Sequence, residues 1–213
     1  MAIKFSKNEI LEMIENAKFD IRSFYKQDFV NYAGKTKDSK EYYTEIIAEW
    51  LLSHVDLFNK IKLINREGSY RIESHDGKII NQESNRAEEK IAMKLFDYSQ
   101  NKGEIFDKIG KIIDYQTPLK NIQTDDAGKI DLLAYNEDTD TLRILELKKS
   151  DSKETMLKCL LEVYTYLKIV NKVKLLKDFG LPKDTIVKAS PLVFFEGMQY
   201  KEMQEDRKNL KKL

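Results

Sequence analysis

Two carboxylates and an ammonium group occur in apolar stretches where charged side chains are unexpected. The stretch KIDLLAYN, residues 129–136, carries Asp131, and the stretch TLRILELKK, residues 141–149, carries Glu146 and Lys148. Both stretches are typical of strands in a buried sheet, where an unpaired charge costs several kcal/mol. These three side chains are therefore the first candidates for a chemical role.

The expected strand register brings the two carboxylates together. A turn over residues 136–141 would set three cross-strand pairs: Tyr135 with Leu142, Leu133 with Ile144, and Asp131 with Glu146. Carboxylates about 5 Å apart at Cβ repel each other unless a cation lies between them, and oxygen ligands suit Mg²⁺ or Mn²⁺. Lys148 would share their face and could orient a water or neutralise charge on a phosphate. A register slip of one residue would separate the acids.

Asp131, followed by Glu146-Leu147-Lys148 on the next strand, resembles the D…ExK signature of the PD-(D/E)xK nuclease superfamily, which has a restriction-endonuclease-like fold. The predicted order of helix, three strands, helix and strand is similar to that superfamily's αβββαβ core, and it covers residues 84 to about 197. Ile130 stands where the literal pattern has proline, a departure that is common in this superfamily. An E-x-K string alone arises by chance in a lysine-rich chain, so the resemblance depends on the spacing within the strands.

The resemblance implies a metal-dependent nuclease that hydrolyses phosphodiester bonds in nucleic acid, with DNA favoured over RNA. It implies that Asp131 and Glu146 bind Mg²⁺, for which Mn²⁺ can substitute, and that the Leu147 main-chain carbonyl is a further ligand. Lys148 would be the catalytic lysine, assisting attack by water. Many relatives pair as homodimers to cut two strands, and the sequence leaves the oligomeric state open.

Many members of this superfamily also carry a glutamate on the first core helix, here NRAEEKIAMKLFDYSQ. At about 100° per residue, the apolar arc of this helix centres close to Glu88, while Glu89 lies to one side. Glu88 is therefore a candidate catalytic residue and metal or water ligand. A capping box formed by Asn85 and Glu88 explains the same glutamate equally well.

Several further polar residues have both a functional and a structural interpretation. Glu162 and Tyr166 resemble the Gln-x-x-x-Tyr of RecB-like members, although tyrosines on an apolar helix are usually core residues. Gln116 could hydrogen-bond a water ligand or simply lie at an exposed sheet edge. Three lysines follow the motif and could contact phosphates, although Lys158 could equally pair with Glu154: Lys149, Lys153 and Lys158.

The elements that would position these residues form an α/β fold. We expect a three-layer αβββαβ restriction-endonuclease-like core over residues 83–213, and a mostly helical accessory region over residues 1–82. In the accessory region, Ser6 and Glu9 form a capping box that opens a helix, a second helix covers residues 39–61, and a hairpin turns near Asp76-Gly77. In the core, a helix runs from Asp151 to about Val170 with Asp151 or Ser152 as its N-cap, and the last strand lies in TIVKASPLVFFEG.

Composition sets the remaining limits. The chain has 213 residues, of which 41% are hydrophobic and 34% charged, with a net charge of +1 that indicates no global attraction to nucleic acid. A single cysteine, Cys159, excludes an internal disulfide and fits a reducing compartment. We find no apolar leader and no membrane-length apolar run, so we expect a cytoplasmic protein without a membrane partner.

Two other interpretations of the acidic motif stay open. The chain could be a catalytically inactive nuclease-like module that binds nucleic acid or protein. Alternatively, Asp131, Glu146 and Lys148 could form a purely structural cross-strand charge cluster. The apolar character of both strands argues against the structural cluster, and the intact set of charges argues against a decayed site.

Overall fold

The computed structural model describes residues 4–78, 86–122 and 124–213. The contacts divide the chain into two compact units. The first comprises Met1–Ile61, Ser150–Thr165 and Val193–Leu213, and the second comprises Lys62–Lys149 and Tyr166–Leu192. The boundary predicted between residues 82 and 83 falls outside the described residues and stays a prediction.

The first unit is helical. The helices α1 and α2 span Lys7–Ala17 and Tyr43–Ser53, and α6 spans Met198–Gln204. Short 3₁₀ helices complete it: Lys18–Lys26, Asp28–Asn31, Val55–Lys60 and Leu210–Lys212. Its core is formed by buried apolar side chains, which include Ile10, Ile14, Phe24, Ile47, Leu51 and Leu157.

The capping box predicted at the start of α1 is confirmed. The Glu9 amide donates to the Ser6 hydroxyl, and the Ser6 amide donates to the Glu9 carboxylate at 2.6 Å. Hydrogen bonds from Lys37, and from the backbone and hydroxyl of Ser6, lower the pKa of Glu9 to about 2. The acidic cap therefore stays ionised at the positive end of the helix.

Two predicted helix boundaries are wrong. The helix expected over residues 39–61 begins only at Tyr43, because Lys40 has a left-handed φ of 60°, and it ends at Ser53 before a 3₁₀ turn. Helix α4 spans Met156–Ile169 instead of starting at Asp151 or Ser152. Its first turn is capped by Thr155, whose hydroxyl accepts from the Lys158 amide at 3.2 Å.

The second unit contains a sheet with helices, so the predicted α/β class is confirmed. Helix α3 spans Ala87–Asn101, and a short helix α5 that was not predicted spans Lys172–Asp178. The strands form one mixed sheet in the order β1-β2-β3-β4: Lys111–Pro118, Lys129–Asn136, Thr141–Lys148 and Ile186–Val193. The element order is the one predicted, with α5 added before β4. The restriction-endonuclease-like arrangement itself stays a prediction.

Helix α3 packs against one face of the sheet. Ala92 and Phe96 of this helix belong to a buried cluster with alternate residues of β2 and β3, namely Leu132, Ala134, Leu145 and Leu147. Strand alternation then places Asp131, Glu146 and Lys148 with the other set of side chains. None of the described helices is both long and apolar enough to cross a membrane.

The hairpin predicted near Asp76-Gly77 is wrong in its described part. Residues 69–78 contain bends and turns but no strand, and Ile79 and Ile80 lie outside the described residues. Gly77 has a left-handed φ of 75°, and the Asp76 carboxylate accepts from the Lys78 amide at 2.9 Å. Asp76 therefore forms an Asx turn with Lys78, and residues 69–78 contain no strand beside it.

Candidate active site

The predicted register of β2 and β3 is confirmed over most of its length. Leu133 pairs with Ile144 and Tyr135 pairs with Leu142, as the turn length predicts. Regular pairing ends at Leu132 and Leu145, one position before the predicted pair of Asp131 with Glu146. At this point the Asp131 carboxylate accepts from the Leu147 amide at 2.9 Å, so a side chain replaces the strand as hydrogen-bond partner.

Asp131 also receives a side-chain hydrogen bond from the edge strand. Gln116 donates through Nε2 to Oδ1 of Asp131 at 3.0 Å, while Leu147 donates to Oδ2. Gln116 lies in β1 between residues that pair with Leu132 and Ile130, so it is level with Asp131 across the strands. Each carboxylate oxygen of Asp131 is thus oriented by a donor from a different neighbouring strand.

A cavity of about 280 Å³ opens beside Asp131. It is lined by three carboxylates, two basic residues and two neutral residues: Asp131, Glu88, Glu89, Arg86, Lys149, Ala87 and Gln116. Glu88 accepts from the backbone amide of Lys149 at 3.1 Å, which ties the first turn of α3 to the end of β3. Glu89 instead pairs with Arg86 at 3.2 Å. Both glutamates therefore line the cavity, but their polar contacts differ.

The capping explanation of Glu88 depends on a residue outside the described part of the chain. The predicted capping box pairs Glu88 with Asn85, which is the residue outside the described part. In the structure, the N-cap of α3 is Arg86, whose side chain makes no capping hydrogen bond. The carboxylate of Glu88 is used in the contact with Lys149.

Glu146 and Lys148 form a buried ion pair. Their charged atoms are 2.7 Å apart, and each side chain is only 6% exposed. Neither residue lines the cavity beside Asp131. The structure thus brings Asp131 and Glu88 to one cavity, and Glu146 and Lys148 form an ion pair with each other. The Leu147 side chain packs in the core against α3.

The cavity has the donor chemistry that Mg²⁺ requires, because carboxylate oxygens are its usual protein ligands. Within residues 4–78, 86–122 and 124–213, however, no group of three His, Cys, Asp or Glu side chains is already arranged to hold a metal ion. Asp131 and Glu88 are the residues that could hold a cation at the cavity. Glu146 bonds to Lys148 through Oε1, and a carboxylate keeps further lone-pair sites, so the ion pair does not by itself exclude Glu146 from binding a cation.

The lysine in the cavity is Lys149, which the sequence indicated only as a phosphate contact. Lys149 lies one residue beyond the end of β3, where strand alternation no longer fixes the direction of a side chain, so no sequence pattern identifies it. The two adjacent lysines have different environments, one at the cavity and one in a buried pair.

The other candidates have structural contacts. Tyr166 is buried, and its hydroxyl lies against Gly128 just before β2. Glu162 belongs to the part of α4 that forms the first unit, and its role stays a prediction. Lys158 pairs with Glu154 one helical turn away, as the alternative interpretation predicted. Cys159 is fully buried in α4.

One polar cluster was not predicted from the sequence. His75 Nδ1 lies 2.6 Å from the buried Asp114 carboxylate, which also accepts from the Thr117 hydroxyl at 2.7 Å. The imidazole stacks on Tyr115 with ring centroids 4.1 Å apart. The cluster links the segment that precedes α3 to the edge strand β1. Because His75 and Asp114 are far apart in the sequence, local sequence patterns do not predict this contact.

Comparison of the chain with protein-family models, with curated proteins and with solved structures gives no match.

Proposed function

We propose that this chain is a Mg²⁺-dependent nuclease of the PD-(D/E)xK type, acting on nucleic acid, with DNA favoured over RNA. The observation that carries the proposal is the environment of Asp131. Its carboxylate lies where β2 and β3 stop pairing, is oriented by two donors, and lines a cavity with Glu88. An oriented carboxylate in an accessible cavity is suited to binding a cation.

In this proposal Asp131 and Glu146 hold Mg²⁺, with Glu88 and the Leu147 carbonyl as further ligands. The bound ion would supply a nucleophilic water at neutral pH and neutralise charge on the phosphate. Glu88 fixes the end of β3 through the Lys149 amide, and the Lys149 side chain brings a positive charge to the cavity. Lys148 assists attack by water, and its ammonium, which is paired with Glu146, keeps further donors for this role.

A second candidate function is a nuclease-like module that binds nucleic acid or protein without cutting. The observation that favours it is the buried pair of Glu146 with Lys148, because each residue neutralises the other and neither lines the cavity. In this alternative, Lys149 and Arg86 contact phosphates, and the carboxylates serve only to position the backbone.

The discriminating variant is Asp131→Asn. Asparagine keeps an oxygen that can accept from Leu147 but removes the negative charge needed by a metal ion. We expect at least about a 100-fold loss of cleavage, since even an outer-shell partner of a metal typically contributes about 10- to 100-fold. The measurement is cleavage of end-labelled duplex DNA, single-stranded DNA and RNA with Mg²⁺, Mn²⁺ or EDTA.

The matched control is Asp138→Asn, the same substitution at an exposed position in the turn between β2 and β3. It should cleave like the unmodified chain. Equal cleavage by both variants would contradict a metal role for Asp131. Metal-independent retention of labelled nucleic acid without any product would support the binding module instead.

A further inference from the structure

Gln116 has a backbone conformation that is unusual for its place in the fold. Its φ is 49°, in the left-handed region, although it lies within β1. Of the five non-glycine residues with positive φ in the described part of the chain, it alone lies in a strand; the others are Lys40, Lys108, Asp140 and Glu196. Such a conformation is unfavourable for a side-chain-bearing residue, so the surrounding structure must hold it in place.

The register irregularity of β1 does not account for this conformation. That irregularity falls between Ile112 and Asp114, whereas the pairs on either side of Gln116 are regular: Tyr115 with Leu132 and Thr117 with Ile130. What the conformation does achieve is a contact, because the Gln116 amide reaches Asp131 Oδ1 at 3.0 Å.

Asp131 accepts a second hydrogen bond through its other carboxylate oxygen. The Leu147 amide donates to Oδ2 at 2.9 Å, so the carboxylate is held between two donors and cannot rotate without losing a hydrogen bond. A carboxylate oxygen carries two lone-pair sites, so an oxygen that accepts from an amide can also bind a cation. Gln116 itself lines the cavity that Asp131 shares with Glu88.

We infer that Gln116 is a positioning residue that holds the Asp131 carboxylate for a divalent cation, and that the left-handed backbone at residue 116 serves to aim its amide. The inference rests on the proposed function, in which Asp131 binds Mg²⁺. Gln116 acts through Asp131 and need not touch the substrate.

The test uses the full-length chain and the substitution Gln116→Gly. Glycine adopts a left-handed φ without strain, so it removes the amide while relieving the backbone. We expect an equal or higher melting temperature without metal, together with at least a tenfold weaker affinity for Mn²⁺, the scale typical of residues that orient a ligand. Affinity is measured by calorimetric titration with MnCl₂, and cleavage is measured in parallel.

The matched control is Lys108→Gly, which relieves a left-handed residue with a φ of 64° at an exposed turn. It should also keep or raise the melting temperature, and it should bind Mn²⁺ like the unmodified chain. A second variant, Gln116→Asn, keeps a residue that tolerates a left-handed φ but shortens the side chain by one methylene, so it should weaken Mn²⁺ binding as well.

The outcomes separate this inference from the proposal it rests on. If the unmodified chain binds Mn²⁺ and cleaves while Gln116→Gly binds Mn²⁺ equally well, the positioning role is overturned and the nuclease proposal stands. A marked fall in the melting temperature of Gln116→Gly would show a structural role and would also overturn the inference. If the unmodified chain neither binds Mn²⁺ nor cleaves, the nuclease proposal fails first and the inference fails with it.

Discussion

At the scale of single residues, the buried pair of Glu146 and Lys148 makes a lysine substitution a poor test of catalysis. Removing one member of a buried ion pair leaves a charge in a low-dielectric environment, which typically costs about 3–5 kcal/mol. We therefore expect Lys148→Met to lower the free energy of unfolding by about 3 kcal/mol, measured by urea denaturation.

The companion measurement is the double variant Glu146→Leu with Lys148→Met. Replacing a whole buried pair with apolar side chains is often neutral, so the double variant should recover most of the loss. A single variant within about 1 kcal/mol of the unmodified chain would contradict a structural contribution from the pair. Loss of cleavage by Lys148→Met would then be direct evidence for a role in the reaction.

Local patterns in the sequence account for part of the geometry around the candidate site, namely the strand register and the position of Glu88 beside the cavity. The register placed Leu133 opposite Ile144 because the turn length fixes it, and helical periodicity placed Glu88 beside the site. The direction of a side chain also depends on its rotamer and on the space around it, which the sequence does not report. In the structure, Lys148 pairs with Glu146. Gln116 was predicted either to hydrogen-bond a water ligand or to lie at an exposed sheet edge, and its observed contact with the Asp131 carboxylate is neither of these.

At the scale of secondary-structure elements, local signals predicted the strands better than the helix ends. Strands β1 to β3 follow from runs of apolar and branched residues closed by turns or proline. The start of α4 was misplaced because several polar residues could cap it, and the choice of Thr155 depends on contacts with Asn31 and Val30 in the same unit. Such contacts join residues more than a hundred positions apart, which periodicity does not report.

The entry into β1 gives a prediction at this scale. Gly110 has a φ of 86°, and a Cβ there would lie 2.6 Å from the Asn136 Cα and closer still to the Tyr135 carbonyl oxygen. We expect Gly110→Ala to lower the free energy of unfolding by about 3 kcal/mol or more, from left-handed strain plus overlap with the backbone of β2. Chemical denaturation measures the loss.

Gly103 provides the control for Gly110, because it has a similar φ of 72° but no atom within 4 Å of a built Cβ. Gly103→Ala should lower the free energy of unfolding by only about 1–2 kcal/mol, from the left-handed conformation alone. Equal losses at the two positions would show that backbone conformation, and not the approach of β2, makes Gly110 necessary.

At the scale of the whole molecule, the first unit is assembled from three separated segments of the chain. The accessory region over residues 1–82 stays a prediction. Composition and periodicity report on neighbours in sequence, so they do not reveal that residues 150–165 and 193–213 belong to the first unit. Besides the shared apolar core, a buried polar contact links the three segments. Glu202 of α6 accepts from the Thr44 hydroxyl of α2 at 3.1 Å and from the Met156 amide of α4 at 2.8 Å. Arg207 lies 3.7 Å from the same carboxylate.

The last prediction follows from this link. Glu202 is 4% exposed, so Glu202→Ala leaves a buried hydroxyl, amide and guanidinium with one acceptor fewer. We expect a loss of about 3 kcal/mol in the free energy of unfolding and faster hydrogen exchange at the Met156 amide. Gln204→Ala, an exposed substitution in the same helix, should change both quantities little. Similar behaviour of the two variants would mean that apolar packing holds the three segments together without Glu202.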